Sequence, residues 1–362
     1  MSAKTMETWL SRTRFVVCVG SGGVGKTTSA AAIALHAARQ GRRAMVLTID
    51  PARRLANSLG LSEIGGRPTQ IDLSALGEAC EGQMWAAMLD SRSTFDALIA
   101  EVAPSPEVRD RILNNAVYRN MAETFAGSQD YMATEMLYDL SRDSRFDLVV
   151  LDTPPVKNAL DFLEAPGRVV GFLDEKILGW LLRPYDSRSV WTQRLFAGTS
   201  AMMFRLLGAV FGREFLDELA VFLHEFRDLY EGFRTRHAAV LELLRRQDTQ
   251  FVAVAAPTAS AVSVARFFTQ ELADRGLNQG GVILNQLNQP SNIDAKAPAH
   301  DRLSAVIAEA IADRRQLASR ERECVAPLLG GTGRFVVEVP RLSGEVHDLG
   351  ALARLGEQLF AN

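Results

Sequence analysis

The sequence predicts an α/β fold: a mostly parallel sheet covered by helices on both faces, with a helical insertion mounted on it. Three observations carry that prediction. Short apolar runs ending in polar residues alternate with longer segments of helical spacing, the pattern of a parallel, helix-covered sheet. A glycine-rich loop joins the first apolar run to the first helix. Strand signals then disappear between residues 158 and 246, where large apolar side chains recur every third or fourth position.

Size and composition fit this class. A chain of 362 residues can bury a large core, and 47% apolar with 23% charged residues is ordinary for a globular protein. The net charge of −3 does not indicate a basic field for nucleic acid or anionic lipid, so no nucleic-acid partner is expected. Residues 1–14 are polar and lack the long apolar region of a signal peptide. The longest apolar stretch, residues 195–211, is interrupted by Arg205 and is short for a membrane span. Cys18, Cys80 and Cys324 are far apart and form no C-x-x-C pair, so no zinc clip can be built locally. Their odd number fits a reducing cytoplasm.

Residues 15–19 read as the first strand and residues 28–39 as an Ala-rich helix. Between them lies Gly20-Ser21-Gly22-Gly23-Val24-Gly25-Lys26-Thr27-Thr28, a complete G-x-x-x-x-G-K-[ST] phosphate loop (P-loop) in the context the motif requires. Its glycines let several backbone N–H groups face one point, against the positive end of the helix dipole. Lys26 adds a full charge for the outer phosphates, and the Thr27 hydroxyl is placed for Mg²⁺. Only five of the 40 basic residues are lysines, and one stands where a slim ammonium is needed.

Further strands are expected at residues 44–49 and 146–151, ending at Asp50 and Asp152. Between them, residues 83–102 and 107–126 show helical spacing, and Ser128 can cap a helix reaching Leu140. In a parallel sheet the ligand lies at the carboxyl ends of the strands, so both aspartates converge on the loop. Asp152 suits the metal, through a coordinated water; Asp50 suits alignment of the attacking water. The alternative for either is a carboxylate capping the next helix.

The insertion follows. Phe215, Leu219, Phe222, Phe226, Leu229 and Phe233 form one apolar face of a long helix. Met202, Met203, Phe204, Leu206, Leu207, Val210 and Phe211 are read either as an adaptable apolar groove or as core or dimer contact. Strands return at residues 251–255, 282–284 and 335–339, with helices at 259–275, 301–327 and 346–360. The expected division is therefore 1–157, the first part of a P-loop ATPase core; 158–246, a helical insertion; and 247–362, the second part of the core. Asn285-Gln286-Leu287-Asn288 ends a late strand. A side-chain amide matches the donor and acceptor on adenine's edge, and the guanine-reading N-K-x-D pattern is absent because position 288 is Asn, which favours ATP over GTP. A turn-forming Asn is the alternative.

These motifs, in this order, resemble the ArsA family of ATPases, which includes the arsenite-pump ATPase and the ATPase that targets tail-anchored membrane proteins. The glycine loop resembles that family's deviant Walker A. Thr48-Ile49-Asp50-Pro51-Ala52 resembles its switch I, and Leu151-Asp152-Thr153-Pro154-Pro155 its switch II. Residues 282–286, and Val339-Pro340-Arg341 with Gly344-Glu345-Val346, resemble its adenine-side segments. The resemblance implies a homodimer, or a heterodimer with a related subunit, with ATP at the interface. It implies water activation by Asp50, adenine contacts at Asn285 and Pro340, and movement of the helical subdomain. The family's signature lysine, second in the loop, is Ser21 here, so the cation that normally reaches the partner's phosphates is missing. Arg53, Arg54 or a partner protein can supply it.

The expected activity is that of a cytoplasmic, Mg²⁺-dependent ATP hydrolase. It acts as a nucleotide switch for a protein client or a membrane partner. An ATP-dependent metabolic kinase or ligase on the same scaffold is the alternative. It needs polar substrate-binding residues where the insertion offers mostly apolar ones. A partitioning ATPase on DNA or membrane is a third reading, opposed by the missing basic patch.

Overall fold

The structure is a computed structural model. It describes residues 3–49, 54–77, 80–115, 118–119, 129–154, 222, 229–290, 302–330, 335–342 and 344–361. Eight strands form one sheet: β1 (Phe15–Val19), β2 (Arg43–Thr48), β3 (Thr69–Ile71), β4 (Gln83–Met88), β5 (Leu148–Asp152), β6 (Thr249–Ala255), β7 (Gln279–Leu287) and β8 (Phe335–Pro340). Their order is β3-β4-β2-β5-β1-β6-β7-β8, and every pairing is parallel except β3 with β4. The helices of the same unit are α1 (Ala3–Ser11), α2 (Lys26–Arg39), α3 (Arg54–Ser58), α8 (Ala259–Asp274), α9 (Arg302–Leu329) and α10 (Leu349–Phe360). Between the two groups in chain order come α4 (Ser91–Val102), α5 (Pro106–Asn114), α6 (Gln129–Arg142) and α7 (Tyr230–Arg245).

The central strands are buried on both faces, as an interior parallel sheet requires. Every residue of β1 and β5 is buried. Helix α2 can lie close to the sheet because its inner positions are alanines: Ala30, Ala31, Ala34, Ala37 and Ala38 are all fully buried. Helix α10 packs against α2, with the His36 and Phe360 rings stacked at 3.7 Å. At that contact a Cβ on Gly356 would lie 3.5 Å from the Ala32 carbonyl oxygen. Helix α1 contributes Met6, Trp9 and Leu10 to the same core.

The strands at 15–19, 44–49, 146–151, 251–255, 282–284 and 335–339 form within a few residues of the expected bounds. Residues 83–102 do not form a helix throughout. Residues 83–88 are strand β4, hydrogen-bonded to β2, and only from Ser91 does the chain turn helical. The segment Gln-Met-Trp-Ala-Ala-Met contains good helix formers and no β-branched residue, so local preference points to helix. Pairing along the whole of β2 overrides it. Asp90 then starts α4, its carboxylate accepting from the Ser93 N–H.

The chain divides into two compact units. The first comprises residues 1–89, 139–161 and 243–362; the second comprises 90–138 and 162–242. In the second unit Arg236 is buried: its Nε donates to Glu135 Oε2 at 2.7 Å and its Nη1 to Glu101 Oε2 at 2.6 Å. The guanidinium also lies over the Tyr138 ring, 4.3 Å from its centroid. Of the expected apolar face, Phe222, Leu229 and Phe233 are buried. Phe215, Leu219 and Phe226, and the residues 195–211, lie outside the described residues. No helix among the described residues is long and apolar enough to cross a membrane.

Candidate functional site

The sheet order places the site. From β1 the chain runs outward through β2 on one side, and later through β6 and β7 on the other, so the order reverses at β1. Ligands of open α/β sheets lie outside the carboxyl ends of the strands at such a reversal. The glycine loop leaves β1 at this point and leads directly into α2. Its conformation depends on glycine at two tight places. A Cβ on Gly20 would lie 2.2 Å from the Val254 carbonyl oxygen, so only a glycine lets the loop pass over β6. Gly25 has φ 90°, and a Cβ there would lie 2.2 Å from Asn285 Nδ2.

Around that loop the sequence-predicted groups assemble in part. Lys26 is buried, and its Nζ donates to the Ser21 carbonyl oxygen at 2.8 Å, spanning the loop from base to shoulder. Gly22 and Gly23 are exposed at the tip, Val24 is buried beneath it, and Thr28 is half-buried in the first turn of α2. Thr27 and Asp152 are drawn together: the Thr27 hydroxyl donates to Asp152 Oδ2 at 2.6 Å. A second hydroxyl, that of Thr48 at the end of β2, donates to the same oxygen at 2.9 Å. Thr48 and Asp152 are register partners in the β2–β5 ladder, and Cys18 and Asp152 are partners in the β1–β5 ladder. All three members of this carboxylate–hydroxyl cluster are 9% exposed or less. Asp152 affects its neighbour Cys18: burial pushes the thiol well above its ordinary range, and the carboxylate charge pushes it further.

The other predicted residues are distributed as follows. Asn285 and Pro340 stand at the carboxyl ends of adjacent strands, β7 and β8, and Asn285 Nδ2 donates to the Val24 carbonyl oxygen at 2.8 Å. Arg54 starts α3 and is exposed. Asp50 and Arg53 lie outside the described residues. Two contributors went unassigned in the sequence: Thr48, whose signal was its place two residues before Asp50 at a strand end, and Gln286, whose amide donates to the Gly23 carbonyl oxygen at 3.1 Å. The cysteines stay apart in the chain's architecture: Cys18 is inside β1, Cys80 precedes β4, and Cys324 is on α9. Among the described residues, no group of three or more His, Cys, Asp or Glu side chains is placed to hold a metal ion.

A glycine loop that closes on a buried lysine, with a hydroxyl and an aspartate at the next strand ends, defines the class of P-loop nucleotide hydrolases. The model of the anion-transporting ATPase family, the ArsA family, matches residues 13–313, and the chain belongs to that family. Curated relatives carry the same name of activity. The chain is similar to the ATPase GET3B of Arabidopsis thaliana, 26% identical over 310 residues, covering 79% of this chain and 67% of that protein. It is similar to the ATPase ARSA1 of Chlamydomonas reinhardtii, 26% identical over 300 residues, covering 78% of this chain but only 35% of that protein. Similarity to an ATPase ASNA1 homolog of Plasmodium chabaudi chabaudi runs at 21% identity over 367 residues, covering 94% of this chain and 85% of that protein. The chain is an ATP hydrolase of this family.

Proposed function

We propose that the chain is a Mg²⁺-dependent ATPase that works as a dimeric nucleotide switch, coupling ATP hydrolysis to a protein client or membrane partner in the cytoplasm. The observation that supports the metal reading is the shared hydrogen bonding of Asp152. Two hydroxyls and a carboxylate supply only hard oxygen donors, the set Mg²⁺ prefers. Thr27 would hold the ion directly and Asp152 through a water, with Thr48 fixing the carboxylate. Bound there, Mg²⁺ neutralises charge developing on the β- and γ-phosphates. The residues 20–28 would cradle those phosphates, with Lys26 moving its ammonium from the Ser21 carbonyl to the outer phosphates. Asp50 would orient the attacking water. Asn285, whose Nδ2 is held by the Val24 carbonyl, would offer its oxygen to adenine's amino group, and Pro340 would contact the base.

The dimer and the client are supported by family membership and by the ATPases named above, two of which are called GET3B and an ASNA1 homolog. A Mg²⁺ titration of ATP hydrolysis tests the site. Asp152→Asn and Thr27→Ala should each raise the half-saturating Mg²⁺ concentration at least about tenfold, because each removes or neutralises an oxygen donor. An unchanged titration in both variants would place the metal elsewhere.

A further inference from the structure

Regular β-strands aim consecutive side chains at opposite faces. Asn285 and Gln286 are consecutive, yet both side-chain amides reach the same loop: Asn285 the Val24 carbonyl at 2.8 Å and Gln286 the Gly23 carbonyl at 3.1 Å. The cause is a bulge in β7. Leu284 pairs with Glu338, and Leu287 pairs with Pro340, so three steps along β7 oppose two along β8. Gln286 carries that irregularity with φ 63°, the one positive value at a non-glycine position among the described residues. Pairing resumes at once, since the Arg341 N–H donates to the Leu287 carbonyl at 2.8 Å. The residue after that is fixed from a different element. Asn288 donates from both its backbone N–H and its Nδ2 to the Glu321 carboxylate of α9, each at 2.7 Å.

We propose that Gln286 and Glu321 are positioning residues for the nucleotide: Gln286 tethers the phosphate-loop tip at Gly23, and Glu321 anchors the bulged segment that carries the tether. This rests on the reading of residues 20–28 as the phosphate site. The tip carbonyls of Gly23 and Val24 are both held by amide donors, which turns the peptide N–H groups of those units the opposite way, away from β7 and free to meet a phosphate. A left-handed backbone at a glutamine is unfavourable by itself, and only the bulge aims this side chain at the loop. The tether also joins the loop to α9, so loop order and the seating of that helix are linked.

The test uses the opposed effects of one substitution. Gln286→Gly removes the tether but adopts φ 63° without strain. Melting temperature without nucleotide should stay level or rise, while the Kd for Mg-ATP, read with a fluorescent ATP analogue, should weaken about three- to tenfold, the worth of one hydrogen bond. Glu321→Gln replaces one acceptor by a donor facing Asn288 and should weaken the Kd by a similar factor. The double variant should be no weaker than the worse single one, because both changes cut the same chain of contacts. Lys26→Ala is the control for the nucleotide reading. If wild type binds Mg-ATP, Lys26→Ala does not, and both tether variants bind like wild type, the positioning role is overturned and the nucleotide reading stands. A fall in melting temperature proportionate to the fall in affinity would make Gln286 a stabilising residue only and would also overturn it. Wild type failing to bind Mg-ATP, or Lys26→Ala binding equally well, would overturn both.

Discussion

At the scale of single residues, the glycine loop was fully legible because its chemistry is written in contiguous positions. Asp152 was legible as a strand-end carboxylate. The second hydroxyl that holds it, Thr48, was not, since Thr48 and Asp152 are 104 residues apart and meet only through the β2–β5 register. Burial at this site has a reactivity consequence. Cys18 is fully buried beside a carboxylate and its thiol is pushed up, whereas Cys80 and Cys324 are half-buried. A maleimide should therefore label two thiols per native chain, and the third only after unfolding; three equally fast reactions would contradict the placement of Cys18. Charge pairing makes a second residue-scale prediction. Arg43 forks onto Asp147 with bonds of 3.0 and 2.7 Å, and that hydrogen bonding lowers the Asp147 carboxyl from 3.8 to about 2. The folded value lies below the unfolded one, so the pair's contribution is whole above about pH 4 and is lost as pH falls toward 2. The pair is well exposed, which keeps that contribution small. Arg43→Ala should flatten this part of the stability-versus-pH curve, measured by urea denaturation between pH 2 and 5.

At the scale of elements, strong patterns transferred and weak ones did not. The β-rich runs Phe-Val-Val-Cys-Val and Leu-Val-Val-Leu announced themselves, because β-branched residues crowd helices and suit a sheet buried on both faces. β4 was hidden by its helix-favouring composition, and α1 by its polar residues. Helix α1 nevertheless anchors the sheet. Trp9 is 3% exposed, meets the Phe335 ring edge-on at 4.8 Å, and donates from Nε1 to Gln250 Oε1 at 3.3 Å. A Cβ on Gly280 would lie 2.9 Å from that indole nitrogen, so the small residue on β7 makes room for the ring. Trp9→Ala should lower unfolding free energy by about 3–5 kcal/mol, the usual cost of deleting a buried large aromatic. Trp9→Phe keeps the ring contact and should lose less. Equal stability for Trp9→Ala and wild type in denaturant melts would remove α1 from the core.

At the scale of the whole molecule, the order of elements and the motifs at the carboxyl ends of the strands agree on one class of machine, an ArsA-family ATPase. The packing that joins residues 90–138 to the second unit was not legible, because it rests on long-range contacts such as the buried Arg236–Glu135 pair and the Arg236–Glu101 pair at its edge rather than on local pattern. Ser21, at the position where the resemblance to the family implies a lysine, brings a hydrogen-bond donor but no charge. Cations supplied in trans raise phosphoryl-transfer turnover by about 10³–10⁵, so the isolated protein should hydrolyse ATP slowly and Ser21→Lys should accelerate it. If Ser21→Lys has no effect, Arg53 or Arg54 is the better source of the cation, and removing each charge in turn should lower turnover.

The most direct test of the central claim, that this site hydrolyses Mg-ATP with water aligned by Asp50, is to measure Mg-ATP affinity and turnover together in Asp50→Asn. Affinity should stay near that of wild type while turnover falls at least about a hundredfold, because only the transition state loses its organiser. Wild-type turnover in this variant would contradict the assignment.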